Sequence, residues 1–255
     1  MLKSRATLLA LALAGVLAVA AACTGKTELA RPGPVASSAA ASPTPDAARA
    51  ELLEALGRST GVAYTYAVRA DLPEGQKVKG DGALDLKARR HQTRMTVTGG
   101  KNPGAPGRIV IGTDAYQRSS AKSDWVHLDL KRIAPDNPLL RFDWNDPTGL
   151  RAFTAAIDRV ERTDPHTYTG KFDPDGSYDE PFLPVGAPSL YSLGLPMSPF
   201  TITTDAKGWV TSIVVELSPT NGPKLTMTTT MSGHENPLKI SRPADFGEAD
   251  EFYYD

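Results

Sequence analysis

Residues 62–98 read VAYTYAVRADLPEGQKVKGDGALDLKARRHQTRMTVT. Apolar and polar positions alternate along this stretch, and Tyr64, Tyr66 and Val68 show the period of two most clearly. This period is typical of strands that turn one face to a core and the other to water. Pro73–Gly75 provides a turn, and polar residues separate the later runs. The stretch therefore predicts three consecutive antiparallel strands with one apolar face.

The same alternation recurs along the rest of the chain. Each further run is bounded by Gly, Pro, Asp or Ser, which favour turns. The further predicted strands are residues 109–116, 125–130, 167–172, 200–204, 209–217 and 224–231. Residues 181–199 are rich in proline and are expected to form a long loop. The whole chain is thus predicted to contain about nine strands of an antiparallel sheet with one side in water.

Two helix starts stand out, because each combines a capping residue with a following proline. The first is Thr44-Pro45-Asp46, followed by a helical stripe that contains Leu52 and Leu56. The second is Asp146-Pro147. Residues of its predicted apolar stripe, at helical spacing, are Leu150, Phe153, Ile157 and Val160.

These elements predict an α+β fold in which the sheet is a curved antiparallel half-barrel wrapped around two helices. Nine strands in a flat sheet would span roughly 40 Å, which two helices of about 10–12 Å diameter cannot cover. A curled sheet avoids that exposed apolar face and can leave apolar volume for a ligand. The alternative is that Tyr64, Tyr66, Met95, Phe153 and the Pro-rich loop fill the interior completely.

The N-terminus carries the features of an export signal. Lys3 and Arg5 precede the 15-residue apolar run 8–22, which ends Ala-Ala-Ala before Cys23. As a helix this run is about 22 Å long, too short to span a bilayer of roughly 30 Å. The ending resembles the lipobox of bacterial lipoproteins, in which the cysteine becomes lipidated. The resemblance implies a signal peptide over 1–22 and a lipid anchor at Cys23; the alternative is an ordinary signal peptide.

Residues 23–44 lack apolar periodicity and are expected to be a flexible tether. Cys23 is the chain's only cysteine, so no internal disulfide can form. Without residues 1–22 the chain has 26 Lys and Arg against 29 Asp and Glu, a net charge of −3. This balance gives no basic field for nucleic acid or for anionic lipid. The tail 244–255 is acidic and aromatic, and it is expected to be solvated or to dock over a cavity mouth through Phe246, Phe252 or Tyr253.

Motifs for catalysis and cofactors are missing from the sequence. It has no H-E-x-x-H, no G-x-S-x-G and no phosphate-binding glycine loop, so we predict no enzyme, no cofactor and no metal. The carboxylates of residues 173–180 are the best candidates for Ca²⁺, but this Asp, Pro and Gly pattern is more typical of a turn. A hydrolase would need a Ser or Asp beside one of the four histidines in a cleft.

Four phrases resemble one known family: GALDLKARRHQTRM (82–95), GTDAYQRS with WVHLDL (112–130), FTITTDAKGWVTSIVVEL (200–217) and LKISRP (238–243). With the lipobox, tether and order of elements, residues 45–243 resemble the actinobacterial LppX/LprG lipoproteins, whose fold is similar to that of the LolA and LolB carriers. The resemblance implies a lipid-binding half-barrel that carries acylated lipids or glycolipids at the cell envelope.

The sequence-based prediction is therefore a membrane-anchored, extracytoplasmic lipoprotein with a lipid or glycolipid ligand. The alternative is an envelope sensor or interaction module on the same scaffold with no lipid cargo. The residues predicted to line the cavity are Tyr64, Tyr66, Leu84, Leu86, Met95, Ile111, Phe153, Ile157, Ile213, Val215 and Met227.

Overall fold

A broad sheet dominates the fold. The computed structural model describes residues 44–101, 103–134, 142–174, 185, 195–220 and 222–254. The described strands are β1 (Tyr64–Asp71), β2 (Lys77–Asp85), β3 (Arg90–Thr98), β4 (Gly107–Ile111), β5 (Asp114–Arg118), β6 (Val126–Asp129), β7 (Ile157–Asp164), β8 (Thr167–Phe172), β9 (Ser198–Thr204), β10 (Val210–Leu217), β11 (Leu225–Ser232) and β12 (Gly247–Glu248). The described α-helices are α1 (Pro45–Thr60) and α2 (Leu150–Ala156), and two short 3-10 helices cover Pro73–Gly75 and Glu251–Tyr253.

All these strands lie in one open sheet, in the order β12-β6-β5-β4-β3-β2-β1-β11-β10-β9-β8-β7. Neighbouring strands are antiparallel, except that β12 pairs with β6 in parallel. Strands β1–β6 and strands β7–β11 form two successive series of antiparallel neighbours. The pairing of β1 with β11 joins the two series into one sheet.

Both helices lie against one face of the sheet, which we call the inner face; the opposite side is the outer face. One apolar cluster joins Leu52 of α1 and Phe153 of α2 to strands β1, β2 and β7–β11. A flat sheet of twelve strands would be about 55 Å wide, several times the roughly 10–12 Å diameter of a helix. The sheet therefore curls around the helices, as predicted.

Helix α1 confirms the predicted start. The Thr44 hydroxyl accepts a hydrogen bond from the Ala47 amide at 3.4 Å, and Pro45 occupies the first turn, where its missing N–H costs nothing. Gly61 caps the C-terminus, and its amide donates to the Arg58 carbonyl. Leu52 and Leu56 are fully buried against the sheet. In the part of the chain that the structure describes, neither α-helix is long and apolar enough to cross a membrane.

The second helix is shorter than predicted. It also begins later than the Asp146-Pro147 start predicted, at Leu150 with Gly149 at the N-cap, although the Asp146 carboxylate still accepts from the amides of Arg151 and Ala152 at 3.1 and 2.8 Å. The helix ends at Ala156, however, and Ile157 and Val160 belong to strand β7. A β-bulge between Ile157 and Arg159 adds one residue, so Ile157 and Val160 share the buried face at a spacing of three. That spacing imitates a helical stripe.

The predicted count of nine strands is also wrong, for three local reasons. Strand β7 replaces half of the predicted helix. The predicted run 109–116 is two strands, β4 and β5, because Gly112 at φ +61° forms a tight turn between them. Strand β12 comes from the tail that we expected to be solvated. Residues 1–43 with Cys23, and most of residues 173–199, lie outside the described residues.

Candidate binding face of the sheet

The inner face brings most of the predicted lining residues together. One apolar cluster contains Tyr64, Tyr66, Leu84, Met95, Phe153, Ile157, Ile213, Val215 and Met227. Phe153 of α2 anchors it through edge-to-face contacts with Phe172 and Phe200, at 5.2 and 5.8 Å between ring centroids. This part of the inner face, made by strands β1, β2 and β7–β11, is packed against α1 and α2. We call it the packed half.

The packed half leaves little space beside Tyr64. The Tyr64 hydroxyl lies 3.1 Å from Thr148 Oγ1, and the two are hydrogen-bonded. A crevice bordered by Tyr64, Leu84, Leu86 and Thr148 has a volume of only about 10 Å³. Burial raises the pKa of the Tyr64 hydroxyl, so this residue is neutral at physiological pH. Side chains of the protein, rather than a hollow, occupy this region.

Ile111 lies apart from the other predicted lining residues. It packs on the outer face, with a cluster that contains Ile109, Tyr116 and Ile240. In strand β4 both faces carry apolar residues, because Val110 is fully buried on the inner face with Ala115 and Leu128. Alternation alone therefore could not assign Ile111 to a face.

Strands β3–β6 present a different inner surface, with a polar row beside an apolar strip. Register places Tyr66, Gly82, Thr93, Arg108 and Gln117 side by side across strands β1 to β5. We call these residues the polar row. Next to it lies the apolar strip made by Val110, Ala115 and Leu128. In the described part of the chain, the strip is covered by side chains from outside α1 and α2, including Phe142, Trp144, Tyr253 and Tyr254.

Gly82 allows the polar row to form. A methyl group at this position would come within 2.1 Å of the Tyr66 ring, so the ring lies directly over the glycine. The Tyr66 hydroxyl thereby reaches His91 Nε2 at 2.9 Å, and both side chains are buried. Burial raises the pKa of Tyr66. Burial, together with the positive charge of Arg108, lowers the pKa of His91 to about 3.

Arg108 places a half-buried positive charge in this row. Its guanidinium carbon lies 5.1 Å from the centre of the Phe142 ring, and the His91 ring lies 5.4 Å from the same ring. Burial lowers the pKa of Arg108 to about 10, so the side chain remains charged near neutral pH. Sequence analysis missed Arg108 and Gln117. The sequence does show a charged residue between Gly107 and Ile109, but alternation could not assign that residue to the inner face.

The tail closes the edge of the sheet, which corrects the prediction of a solvated tail. Residues 238–254, which we call the C-terminal strap, begin on the outer face, where Phe246 packs edge-to-face on Tyr116 at 5.0 Å. The strap then pairs with β6 as β12. Finally it crosses to the inner face, where the amide of Asp129 donates to the Tyr254 hydroxyl at 3.2 Å. Phe252, predicted to dock over a mouth, is 64% exposed.

His127 fastens the strap to the sheet. Its Nδ1 lies 2.7 Å from Glu248 Oε2, and its Nε2 lies 2.9 Å from Asp114 Oδ1. Burial alone would lower the pKa of His127, but the two carboxylates outweigh burial and raise it. A second clasp joins Arg132 to Glu251 in a salt bridge.

Two observations concern the metal and hydrolase chemistry that the sequence analysis considered. Among the described residues, no group of three or more His, Cys, Asp or Glu side chains could hold a metal ion. His234 stacks on Trp209 at 5.0 Å, and its pKa is lowered by burial. In the hydrogen bonds of the described residues, histidines contact Tyr66, Asp114 and Glu248 but no serine.

Comparison with known proteins gives little at the level of sequence. No protein-family model matches the chain, and no curated protein matches it. Among solved structures, the chain is similar to a LolA superfamily protein from Nitrosomonas europaea, with 10% sequence identity and a TM-score of 0.28. The similarity covers 75% of this chain and 94% of that chain.

Proposed function

We propose that this protein is a membrane-anchored lipoprotein that binds or carries acylated lipids or glycolipids on the inner face of its sheet. The proposed anchor is a lipid on Cys23, at the extracytoplasmic face of the cell membrane. The sequence supports this placement through the basic start, the short apolar run 8–22 and the single cysteine that follows it. The resemblance to the LppX/LprG lipoproteins supports the choice of ligand.

One observation carries the proposal: among the described residues, the apolar strip of Val110, Ala115 and Leu128 is covered by side chains of loops and the tail, outside α1 and α2. Segments of this kind open locally at a small fraction of the free energy of global unfolding. Their displacement would expose apolar strand positions on a sheet that stays paired. An acyl chain that takes their place gains about 0.8 kcal/mol for each buried methylene group.

The direct test is native mass spectrometry of the full chain after gentle extraction from its own membranes. We expect a mass increment that disappears on denaturation and that corresponds to an acylated lipid. The matched control is Cys23→Ser, which should abolish membrane association and leave ligand uptake by the domain intact. A homogeneous ligand-free protein that takes up no lipid from mixed vesicles would refute the proposal.

The second candidate is an envelope sensor or interaction module without lipid cargo. The packed half favours it, because Tyr64, Phe153 and Ile213 are fully buried in one cluster and the crevice beside Tyr64 is only about 10 Å³. The same mass measurement separates the two functions, since a module of this kind would be ligand-free.

A further inference from the structure

We infer that the inner face of β3–β5 binds the anionic group of an amphiphile, a carboxylate or a phosphate, through Arg108, His91 and Gln117. This inference rests on the proposed function, because it names the chemical class of the lipid. The acyl chain of the amphiphile would lie on the apolar strip. Four features of the described residues support the assignment: position, unsatisfied donors, charge distribution and the neighbouring apolar surface.

Position brings the three side chains to one place. Arg108 stands directly opposite Gln117 in the pairing of β4 with β5, and opposite Thr93 in the pairing with β3. His91 precedes Thr93 by two residues and so shares its face. The Phe142 ring contacts both side chains. Its centre lies 5.4 Å from that of the His91 ring and 5.1 Å from the guanidinium carbon of Arg108.

Two donors at this place are buried without a hydrogen-bond partner in the described chain. They are His91 Nδ1 and Gln117 Nε2, and His91 is only 5% exposed. The Tyr66 hydroxyl lies 2.9 Å from His91 Nε2, and we assign the hydroxyl as the donor in that hydrogen bond. The ring proton then lies on Nδ1. A buried donor left unsatisfied is costly, and an acceptor from a ligand would remove that cost.

The charges of the surrounding strands are sorted by face. The acidic residues of β2, β5 and β6 occupy outer positions, where Asp81 accepts from Arg94 and Asp114 lies against His127. The inner positions of β4 and β5 carry the half-buried guanidinium of Arg108 and the amide of Gln117. An incoming anion therefore meets a positive charge and two donors without facing the carboxylates of these strands.

The apolar strip begins beside the polar row. Val110 follows Arg108 by two residues on the same face, and Ala115 precedes Gln117 in the same way. Leu128 continues the strip on β6. A carboxylate or phosphate at Arg108 would thus place an attached acyl chain directly against apolar side chains. A neutral lipid would have to bury the donors without satisfying them.

The test uses the full chain and three oleoyl ligands below their micelle concentrations: oleate, oleoyl lysophosphatidic acid and methyl oleate. We expect oleate or the phosphate to bind at least about tenfold more tightly than the neutral ester, the size of one charge-assisted hydrogen bond. Comparing the two anions shows whether the site prefers a carboxylate or a phosphate. Affinities are read by native mass spectrometry and by displacement of a fluorescent probe.

Variants then locate the preference. In Arg108→Met the anions should bind about as tightly as methyl oleate, while the affinity for methyl oleate stays unchanged. Arg118→Met is the matched control, because Arg118 lies on the outer face, over the Trp125 ring at 4.7 Å. Gln117→Leu is a smaller change and should reduce the anion preference about threefold. It serves as the test if Arg108→Met fails to fold. Circular dichroism verifies folding of each variant.

The outcomes separate this inference from the proposed function. If all three ligands bind equally, or if Arg118→Met and Arg108→Met have equal effects, the anion site is refuted and lipid binding stands. If none of the three binds to the wild-type chain, lipid binding itself is contradicted. A loss of anion preference confined to Arg108→Met and Gln117→Leu supports the site.

Discussion

At the scale of single residues, Gly82 decides whether Tyr66 can reach His91. The Tyr66 ring occupies the space that a side chain at position 82 would need, and its Oη would lie 2.4 Å from an added methyl group. Because the ring is buried, it cannot swing into solvent to relieve the contact. The hydrogen bond to His91 and the geometry of the polar row therefore depend on a residue with no side chain.

We predict that Gly82→Ala lowers the free energy of unfolding by about 1–3 kcal/mol, because it overpacks a buried position. The matched control is Gly57→Ala in the exposed interior of α1, where an added methyl group meets nothing within 4 Å. That change should raise stability by about 0.5–1 kcal/mol, the difference in helix propensity. Urea denaturation measures both; equal and small effects would contradict the tight contact at Gly82.

A second prediction, on how the free energy of unfolding depends on pH, follows from His91. Its pKa is about 3 when folded and near 6.5 when unfolded, so the unfolded chain binds a proton that the folded chain does not. The free energy of unfolding should fall as pH drops below 6.5, by about 1 kcal/mol per pH unit between 6 and 5. In His91→Gln this contribution should be lost.

The control for that experiment is His127→Gln. His127 has a raised pKa in the folded chain, so its contribution has the opposite sign: present below pH 6.5 and lost as pH rises through the folded pKa. Removing it should make the loss of stability on acidification steeper. Identical pH profiles for the wild type and His91→Gln would refute the assignment of a buried neutral His91.

At the scale of elements, the C-terminal strap protects an edge of the sheet. Without β12, strand β6 would expose unpaired backbone groups, which promote association between sheets. The strap covers them through the amides of Gly247 and Ala249, which donate to the carbonyls of Trp125 and His127 at 2.9 Å each. Its aromatic residues then hold it on both faces.

We predict that Glu248→Gln lowers the pKa of His127 towards its ordinary value, because one of the two carboxylates that raise it becomes neutral. The His127 ring signals followed by NMR against pH measure this change. Glu251→Gln is the matched control; it weakens the clasp to Arg132 and should leave the His127 titration in place. An unchanged His127 titration in Glu248→Gln would show that the strap does not dock through this contact.

Element-scale features also show what the sequence can predict. The cap at Thr44 and the alternation over 62–98 specified α1 and β1–β3, because each depends on neighbours a few residues apart. Strand β7 could not be predicted in the same way, since its bulge gives Ile157 and Val160 a helical spacing. Strand β12 is only two residues long, and its partner lies far away in the sequence.

At the scale of the whole molecule, one apolar cluster connects α1 and α2 with strands β1, β2 and β7–β11. Phe153 contacts Phe172 of β8 and Phe200 of β9, so it links the second helix to two strands. We predict that Phe153→Ala lowers the free energy of unfolding by about 3–5 kcal/mol, in a single cooperative transition. Phe252→Ala, at the exposed position in the strap, should change it by less than about 0.5 kcal/mol. Denaturant unfolding followed by fluorescence and circular dichroism compares the two; a small effect of Phe153→Ala would contradict a shared core.

The candidate site was less predictable than the fold. The apolar lining residues were found because burial follows hydrophobicity, as at Tyr64, Ile213 and Met227. The polar row depends on which way β4 turns its side chains, and the sequence around Arg108 is apolar on both faces. Only register across three strands brings Arg108, Gln117 and His91 together.

The order of strands in the sheet has a consequence for synthesis. Strands β1–β6 are translated as one set of successive hairpins, but their two outer edges are paired by β11 and β12, which are translated much later. Any sheet formed by the first six strands alone thus has both edges unpaired, the arrangement most prone to joining another chain. Until β11 and β12 have been made, the nascent chain cannot cover these two edges with its own strands.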